Sequence, residues 1–173
     1  DGLFLFNNSS FKHGSAWQNY SGQPDSLTVF NNYFHGGGQP AEILSFVGPE
    51  IPRLRMSHNA WISSGRWRIG KTSESDFIAW RKSPYGRSDI MLGAEPSFTT
   101  LKPDFDQQEF SQYREPPTSF ELVRYSQMVD SGRAVPGVTD NFVGKAPDIG
   151  AWERGQPPIR YGADHALPQP GKR

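Results

Sequence analysis

Three stretches of the sequence read almost alike: residues 3–8 (LFLFNN), 27–32 (LTVFNN) and 54–59 (LRMSHN). In each stretch, apolar residues stand at alternate positions before the asparagine, which is the period of a β-strand with one buried face. An asparagine at the end of a strand favours a turn, because its short amide side chain bonds to the nearby backbone. The sequence therefore predicts three copies of a short strand that runs into a turn.

The spacing between the copies predicts how they pack. Asn8 and Asn32 are 24 residues apart, and Asn32 and Asn59 are 27 residues apart. This period is too short for two strands joined by a full helix, and it suits one coil of a solenoid. Stacked coils would place the three asparagines above one another, where each amide can bond to its neighbours and to turn backbone in a left-handed conformation. We predict an asparagine ladder that supports the turns.

The rest of the chain also favours strands over helices. Glycine, proline, β-branched residues and Asn-Asn pairs interrupt every window that is long enough for an amphipathic helix. We therefore predict an all-β fold with long loops, in which residues 76–80 (DFIAW) form a fourth strand.

The composition excludes several classes of protein. The 173 residues are enough for one domain with a core, and 18 glycines and 15 prolines indicate many turns. No cysteine is present, so the chain has no disulfide scaffold, thiol nucleophile or cysteine-bound metal. Its 18 basic residues balance 18 acidic ones, and no apolar stretch approaches the roughly 20 residues of a membrane span. We expect neither nucleic acid nor a membrane as a partner.

The sequence changes character after residue 93. Residues 95–98 (EPSF) begin a stretch rich in proline and acidic residues, Ser126, Asp130 and Gly132 follow, and residues 147–153 (PDIGAWE) come near the end. Together with the Asn-Asn coils, this order of motifs resembles the C-terminal part of bacterial right-handed parallel β-helix proteins of the pectate-lyase-like superfamily. The PDIGAWE motif is the most specific part of the resemblance. Glu95 departs from the family pattern, which usually has aspartate there.

The resemblance implies one right-handed parallel β-helix domain with three parts. Residues 1–93 would form its coils, residues 94–155 an irregular closing segment, and residues 156–173 an extended tail. An open end of a solenoid exposes strand edges and apolar core, so we expect the closing segment to cap that end.

Residues near the end of the closing segment are expected to anchor it. Asp148 and Glu153 could accept backbone N–H bonds in tight turns, and Ile149 and Trp152 could bury against the last coil. The other end of the coils differs, because residues 1–2 lead directly into a strand with no cap. We expect further N-terminal coils there, on the same chain or as a separate one.

The resemblance also implies where the protein acts and on what. Such β-helix proteins are secreted, periplasmic or on the cell surface, and they include uronate lyases, glycosidases, epimerases and non-catalytic adhesins. Their polysaccharide lies in a groove along one parallel sheet, often beside an arginine or lysine and sometimes with calcium. We expect a polysaccharide as partner and no cofactor other than calcium. No metal site is predicted from the histidines, because their spacing is irregular.

One coil contains the densest group of side chains suited to lyase chemistry. That chemistry needs a base that takes a proton beside a uronate carboxylate and a cation that offsets the developing charge. The candidate catalytic residues are His58, Arg66, Arg68 and Lys71, and the candidate substrate-binding residues are Trp61, Trp67 and His35. His58 also stands in an asparagine position of the turn column, which fits a purely structural role.

Hydrolysis of a glycosidic bond would instead need two carboxylates that flank the bond. The acidic residues of the coil region are few and scattered: Asp25, Glu42, Glu50, Glu74 and Asp76. The sequence therefore favours an enzyme, namely a polysaccharide lyase that cleaves a uronate-containing polysaccharide by β-elimination. Three alternatives stay open: a β-helix glycoside hydrolase, a non-catalytic polysaccharide-binding or adhesin module, and a structural C-terminal subunit whose active site lies elsewhere.

Overall fold

The computed structural model describes residues 2–13, 17–19, 24–37, 42–46, 51–62, 65–93, 98–99 and 120–157. Within these residues the chain forms eleven strands and one helix, so the fold is built mainly from strands, as the sequence predicted. The elements are, in chain order, β1 (Gly2–Phe6), β2 (Ser9–His13), β3 (Trp17–Asn19), β4 (Ser26–Phe30), β5 (Tyr33–Gly37), β6 (Glu42–Phe46), β7 (Arg53–Ser57), β8 (Ala60–Ile62), β9 (Arg66–Ile69), β10 (Thr72–Glu74), α1 (Phe77–Lys82) and β11 (Ile90–Met91). In this described part of the chain, no helix has the length and apolar character needed to cross a membrane.

The strands are arranged in three sheets, each assembled mostly from strands that are three elements apart in the chain. The first sheet has the order β1-β4-β7, the second β2-β5-β8-β11 and the third β3-β6-β9-β10. Neighbouring strands pair in parallel except β9 and β10, which are antiparallel. From β1 to β9, each set of three consecutive strands therefore adds one strand to each sheet.

The three repeated sequences become β1, β4 and β7, which confirms their prediction as strands. They pair in register, so Leu27 lies opposite Leu3 in β1 and Leu54 in β7. Leu27, at the centre of this row, is only 1% exposed. Equivalent positions of the repeats therefore face the same side of the sheet, and the apolar positions face inwards.

Apolar side chains from all three sheets belong to one core. Its buried members are Leu27, Val29, Phe34, Leu44, Phe46, Ile51, Met56, Trp61, Trp67, Ile69 and Trp80. Trp61 packs edge-on against Trp67 with ring centroids 6.0 Å apart, and it stacks on Phe34 at 4.7 Å. Because aromatic side chains bury the most apolar area per residue, they supply a large share of the hydrophobic stabilisation of this core.

The predicted asparagine ladder is present at the turns between the first and second sheets. Asn32 Oδ1 accepts hydrogen bonds from the backbone N–H of Asn8 at 3.0 Å and from its Nδ2 at 2.9 Å. Asn59 Oδ1 accepts the same two bonds from Asn32, each at 3.1 Å. The left-handed backbone belongs to the residue before each ladder position, and these residues are Asn7, Asn31 and His58, with φ of 50°, 59° and 55°. The ladder satisfies buried amides and so fixes each turn on the next.

The ladder ends at Asp89 rather than at a fourth asparagine. Asp89 Oδ1 accepts hydrogen bonds from the backbone N–H of Asn59 at 2.9 Å and from its Nδ2 at 3.4 Å. Asp89 Oδ2 accepts from Nε1 of Trp61 at 2.8 Å and of Trp80 at 3.0 Å. All four groups, which belong to three residues, are hydrogen-bond donors. A carboxylate suits them because both of its oxygens accept, whereas an asparagine would turn its own NH2 group towards some of them. Burial nevertheless raises the pKa of Asp89 to about 6.

The segment predicted as a fourth strand is a helix, so that prediction is wrong. Asp76 caps α1, because its Oδ1 accepts a hydrogen bond from the backbone N–H of Ala79 at 2.8 Å. Phe77 and Trp80 are three residues apart and share one face of the helix. The Trp80 indole is fully buried and stacks on Trp67, with centroids 5.9 Å apart. The apolar pattern of so short a segment fits one helical turn as well as it fits a strand.

The C-terminal segment, residues 120–157, consists mostly of turns, and it covers the outer face of the second sheet. Outward-facing residues of that sheet and side chains of the segment form a second buried cluster. Its members are Tyr33, Ala60, Leu92, Phe98, Leu122, Met128 and Ile149. The described part of the segment thus lies along the side of the second sheet, and capping of an open end stays a prediction. The outward row of this sheet is apolar and would otherwise face water.

The predicted anchors of the C-terminal segment hold it through backbone hydrogen bonds. The carboxylates of Asp148 and Glu153 each accept two bonds from backbone N–H groups, at 2.7–2.9 Å. Ile149 is fully buried and Trp152 is half-buried. These contacts hold a segment that has little regular secondary structure. The predicted tail lies outside the described residues beyond residue 157.

Candidate functional site

Among the described residues, the outer face of the first sheet is partly exposed to solvent. Strand alternation turns Leu27 and Val29 of β4 into the core, so the residues between and after them point outwards. With their neighbours in register, these outward positions form two cross-strand rows. The rows are Phe4, Thr28 and Arg55, and Phe6, Phe30 and Ser57. We call these six residues the first-sheet face. Phe4 is 64% exposed and Arg55 is also exposed.

Aromatic rings form an apolar strip on the first-sheet face. Phe6 stacks on Phe30, with ring centroids 5.8 Å apart and 25° between the planes. Phe4 lies next to Phe6 at 5.9 Å, tilted by 45°. The parallel register creates the Phe6–Phe30 stack, because it places the last residues of β1 and β4 side by side. Phe4 is exposed and Phe6 and Phe30 are half-buried, so the strip is a partly exposed surface on which sugar rings can stack.

The C-terminal segment delivers a cation to this strip. The guanidinium carbon of Arg133 lies 4.9 Å from the centroid of the Phe30 ring, which is a cation–π contact. The backbone of Arg133 is clamped by the fully buried side chain of Asn31. Its Oδ1 accepts from the Arg133 N–H at 2.7 Å, and its Nδ2 donates to the Arg133 carbonyl at 2.8 Å. The turn between β4 and β5 therefore positions a side chain that is 102 residues away in the sequence.

Gly132 allows the clamp to form. A Cβ at this position would lie 2.7 Å from the carbonyl oxygen of Pro147 and 3.2 Å from Cγ of Asn31. The Gly132 N–H also donates to the Pro147 carbonyl at 2.7 Å. Only glycine leaves room for this close approach of two backbones, so Gly132 determines where Arg133 lies.

His58 stands at the end of the first-sheet face, in the turn after Ser57. It is half-buried, and its Nδ1 is hydrogen-bonded to Ser57 Oγ. Burial lowers the pKa of His58, and the nearby charge of Arg133 lowers it further. The imidazole is therefore more strongly neutral near pH 7 than an ordinary histidine, as a proton acceptor has to be. Its left-handed backbone shows that it is also a turn residue.

The remaining predicted catalytic residues lie in a different sheet from His58. Arg66 and Arg68 point outwards from β9 of the third sheet, and Lys71 lies in the turn that follows β9. Arg68 pairs in register with Ser45 of β6. Residues that are close in sequence are thus separated, because β8 carries the chain through the second sheet between His58 and Arg66. The structure does not assemble these four residues into one catalytic group.

The predicted substrate-binding residues are not available for stacking on a sugar. Trp61 is 0% exposed and Trp67 is 1% exposed, so neither ring has a free face. Both belong to the core instead, which corrects their predicted role. His35 lies on the outer face of the second sheet, where its Nδ1 is 2.9 Å from Tyr33 Oη. Burial lowers the pKa of His35 to about 4, so it is neutral at physiological pH.

The described residues include no group of three or more histidine, aspartate or glutamate side chains that could hold a metal ion. The C-terminal carboxylates are engaged in backbone hydrogen bonds, and burial raises the pKa of both Asp148 and Glu153. Their arrangement serves the fold of the segment.

Sequence reasoning missed three of the residues that meet at this surface: Phe6, Phe30 and Arg133. A usable signal existed for two of them, because Phe6 and Phe30 occupy the same outward position of two aligned repeats. No local signal pointed to Arg133, since its place depends on a contact between distant parts of the chain.

Compared with known proteins, the chain matches no family model, no curated protein and no solved structure. Its possible activity therefore has to be inferred from the geometry of this surface and from the resemblance of its sequence motifs.

Proposed function

We propose that the protein is a right-handed parallel β-helix that binds a uronate-containing polysaccharide along the first-sheet face and cleaves it by β-elimination. The fold proposal is supported by the three parallel sheets, the regular succession of strands and the asparagine ladder. Right-handed winding is proposed because crossovers between parallel strands are right-handed in about 98% of cases. We further propose that the protein is exported, with the polysaccharide as its partner.

One observation carries the functional proposal: a histidine with a lowered pKa and an arginine both lie beside an aromatic strip on a parallel sheet. The charge of Arg133 acts on His58, and its guanidinium also contacts Phe30. A uronate offers a carboxylate for the arginine and a flat sugar face for the rings. Arg55, exposed on β7, supplies a second cation for a neighbouring uronate.

The proposed reaction uses His58 as the base. In the tautomer in which Nδ1–H donates to Ser57 Oγ, Nε2 carries the lone pair that takes the proton next to the uronate carboxylate. The electrons of that C–H bond form a carbon–carbon double bond, the glycosidic C–O bond breaks, and the leaving oxygen takes a proton from water. Arg133 offsets the negative charge that builds up on the carboxylate during proton removal.

Ultraviolet absorbance tests this proposal, because β-elimination creates a conjugated double bond and hydrolysis does not. The protein is incubated with a panel of uronate polysaccharides, and absorbance is expected to rise with at least one of them. His58→Ala should reduce the rate by about 10²–10⁴-fold, as expected for a general base. Arg124→Ala, an exposed arginine elsewhere in the C-terminal segment, serves as the control for Arg133→Ala. A flat trace with every polymer would refute lyase activity.

A non-catalytic polysaccharide-binding or adhesin module is the second candidate. It is favoured by the separation of Arg66, Arg68 and Lys71 from His58, since binding needs only the aromatic strip and the arginines. A flat absorbance trace together with retained polymer binding would select it. A glycoside hydrolase is less well supported, because the first-sheet face carries no carboxylate.

We also propose that a further coil pairs with the β1 side of the sheets. Within the ladder, each Oδ1 accepts a backbone N–H of the preceding coil, and Nδ2 of Asn32 donates to the Leu5 carbonyl of that coil at 3.0 Å. The side-chain amide of Asn8 could make the same hydrogen bonds to a coil that precedes β1. Leu3 stands in the inward row yet is 46% exposed, whereas Leu27 beside it is 1% exposed. A preceding coil, on the same or a separate chain, would bury Leu3 and extend the ladder.

A further inference from the structure

A cleft lies where the C-terminal segment meets the first turn of the chain. Its volume is about 390 Å³, which is near the lower end of the roughly 300–1,000 Å³ range of small-molecule sites. Phe6 lines this cleft and also belongs to the first-sheet face. The cleft therefore adjoins the proposed polysaccharide surface, but apart from Phe6 it is lined by different residues.

The cleft combines aromatic walls with amide groups. Phe6, Phe142 and Trp152 contribute rings, and Asn141 and Gln156 contribute amide side chains. The Trp152 ring is fixed, since its Nε1 donates to the carbonyl of Gln156 at 3.3 Å. Rings that offer a flat face and amides that both donate and accept hydrogen bonds are suited to a pyranose with free hydroxyl groups.

The charge of the cleft differs from that of the first-sheet face. Glu153 is the one charged side chain among the described residues that line the cleft. Its carboxylate oxygens already accept the N–H groups of Val143 and Asp148, both at 2.9 Å. A carboxylate ligand would meet this negative group without a lining cation to offset the repulsion, whereas Arg55 and Arg133 favour a carboxylate at the first-sheet face.

We infer that the cleft binds an uncharged sugar residue of the same polysaccharide whose uronates lie on the first-sheet face. This inference rests on the proposed function for its link to the uronates, and it specifies the substrate class. The preferred polymer contains neutral sugars next to uronates, in its backbone or as branches. A polymer made of uronates alone leaves the cleft without a ligand of matching charge.

The fluorescence of Trp152 provides the test. The protein is titrated with a panel of neutral disaccharides and, in parallel, with uronate disaccharides of the same linkage. At least one neutral disaccharide should change the emission, and Trp152→Phe should abolish that change. Asn141→Ala should weaken the binding about three- to tenfold, the factor expected for one lost hydrogen bond. Gln127→Ala, which removes an exposed amide outside the cleft, should leave the binding unchanged.

Arg133→Ala separates this inference from the proposed function. The variant should lose affinity for uronate polymer and keep its affinity for the neutral disaccharide. If no neutral disaccharide changes the emission, or if the uronate disaccharides bind the cleft more tightly, the inference about the cleft is overturned while the first-sheet proposal stands. If neutral disaccharides bind but uronate polymers do not, the proposed function fails, the cleft remains a neutral-sugar site, and its link to uronates is overturned.

Discussion

The outer faces of the first and second sheets are formed by consecutive strands that one turn separates, yet they have opposite environments. On the second sheet, Tyr33 and Ala60 are at most 1% exposed beneath the C-terminal segment. On the first sheet, Phe4 is 64% exposed and Arg55 reaches solvent. The difference shows that the described part of the segment buries an apolar face of the second sheet and leaves Phe4 and Arg55 of the adjacent face exposed.

At the boundary between the two faces, the C-terminal segment contributes a residue to the proposed site. Asn31 lies in the turn that joins them, and its amide holds Arg133 at the edge of the first-sheet face. Burial of the segment on one face thereby sets the position of a cation on the other. The comparison predicts that changes on the second face lower stability, whereas changes on the first face lower ligand binding.

The largest effect is expected from removing the cover of the second face. Ile149→Ala should lower the free energy of unfolding by about 2–5 kcal/mol, because it leaves a cavity in a fully buried cluster. Urea denaturation followed by tryptophan fluorescence measures the change. Val143→Ala, at a site that is 53% exposed in the same segment, is the matched control. Equal stability of the two variants would contradict the account of the second face as a core.

Asp89, which ends the asparagine ladder, should make the stability of the protein depend on pH. Asp89 has a pKa raised to about 6, above its ordinary value of 3.8. Between about pH 4 and pH 6 the folded state therefore binds more protons than the unfolded state, so stability falls as pH rises through this window and then levels off. The size of the fall is about 2–3 kcal/mol. Asp148 and Glu153, whose pKa values are also raised, act in the same direction.

Asp89→Asn isolates the contribution of that residue. Urea midpoints measured from pH 4 to pH 7 should show a shallower pH dependence in the variant, because the substituted side chain does not titrate. The parent protein gives the reference slope. Identical slopes for the two proteins would mean that Asp89 titrates normally in spite of its burial.

A substitution of Asn31 removes the hydrogen bonds that hold Arg133 at the boundary between the two faces. Asn31→Gly keeps a residue that tolerates the left-handed φ but removes the amide that clamps Arg133. We expect uronate polymer binding to weaken about tenfold or more, similar to Arg133→Ala. Asn7→Gly is the control, since Asn7 is also left-handed, donates to the Asp148 carbonyl and touches the clamp only through a 3.4 Å bond from Asn31 Nδ2. If Asn31→Gly binds like the parent, Arg133 does not depend on this clamp.

The smallest effect on stability is expected on the open face. Phe4→Ala should change the free energy of unfolding by less than about 0.5 kcal/mol, because the ring is mostly exposed. Affinity for the polysaccharide should fall several-fold through the lost stacking surface. Ile78→Ala, 72% exposed on α1, is a control away from this face. Binding that is unchanged in Phe4→Ala would remove Phe4 from the proposed site.

The sequence predicted those parts of the fold that depend on local pattern. The alternation in residues 27–30 specifies a strand, and the Asn-Asn pair specifies its turn and the ladder. The short segment of α1 was misassigned, because the capping bond of Asp76 is not visible in apolar periodicity. Trp67 was misplaced for a related reason: a tryptophan between two arginines is expected to be exposed until strand alternation shows that it faces the core.

The site was less predictable than the fold. The chemistry of His58 predicts it as a base, which stays a prediction, whereas the position of Arg133 depends on the packing of the C-terminal segment against Asn31. Arg66 and Arg68 seemed suitable because they follow His58 closely in the sequence. In these sheets, however, strands three elements apart are neighbours, whereas consecutive strands such as β7, β8 and β9 lie in different sheets.

Hydrogen–deuterium exchange with and without a uronate oligosaccharide tests the central claim most directly, because it reports which face the ligand covers. We expect slower exchange in residues 53–58 and around Arg133, and no change in residues 66–71 of the third sheet. Protection confined to residues 66–71, or no protection anywhere with every uronate oligosaccharide tried, would contradict the assignment of the first-sheet face as the polysaccharide site.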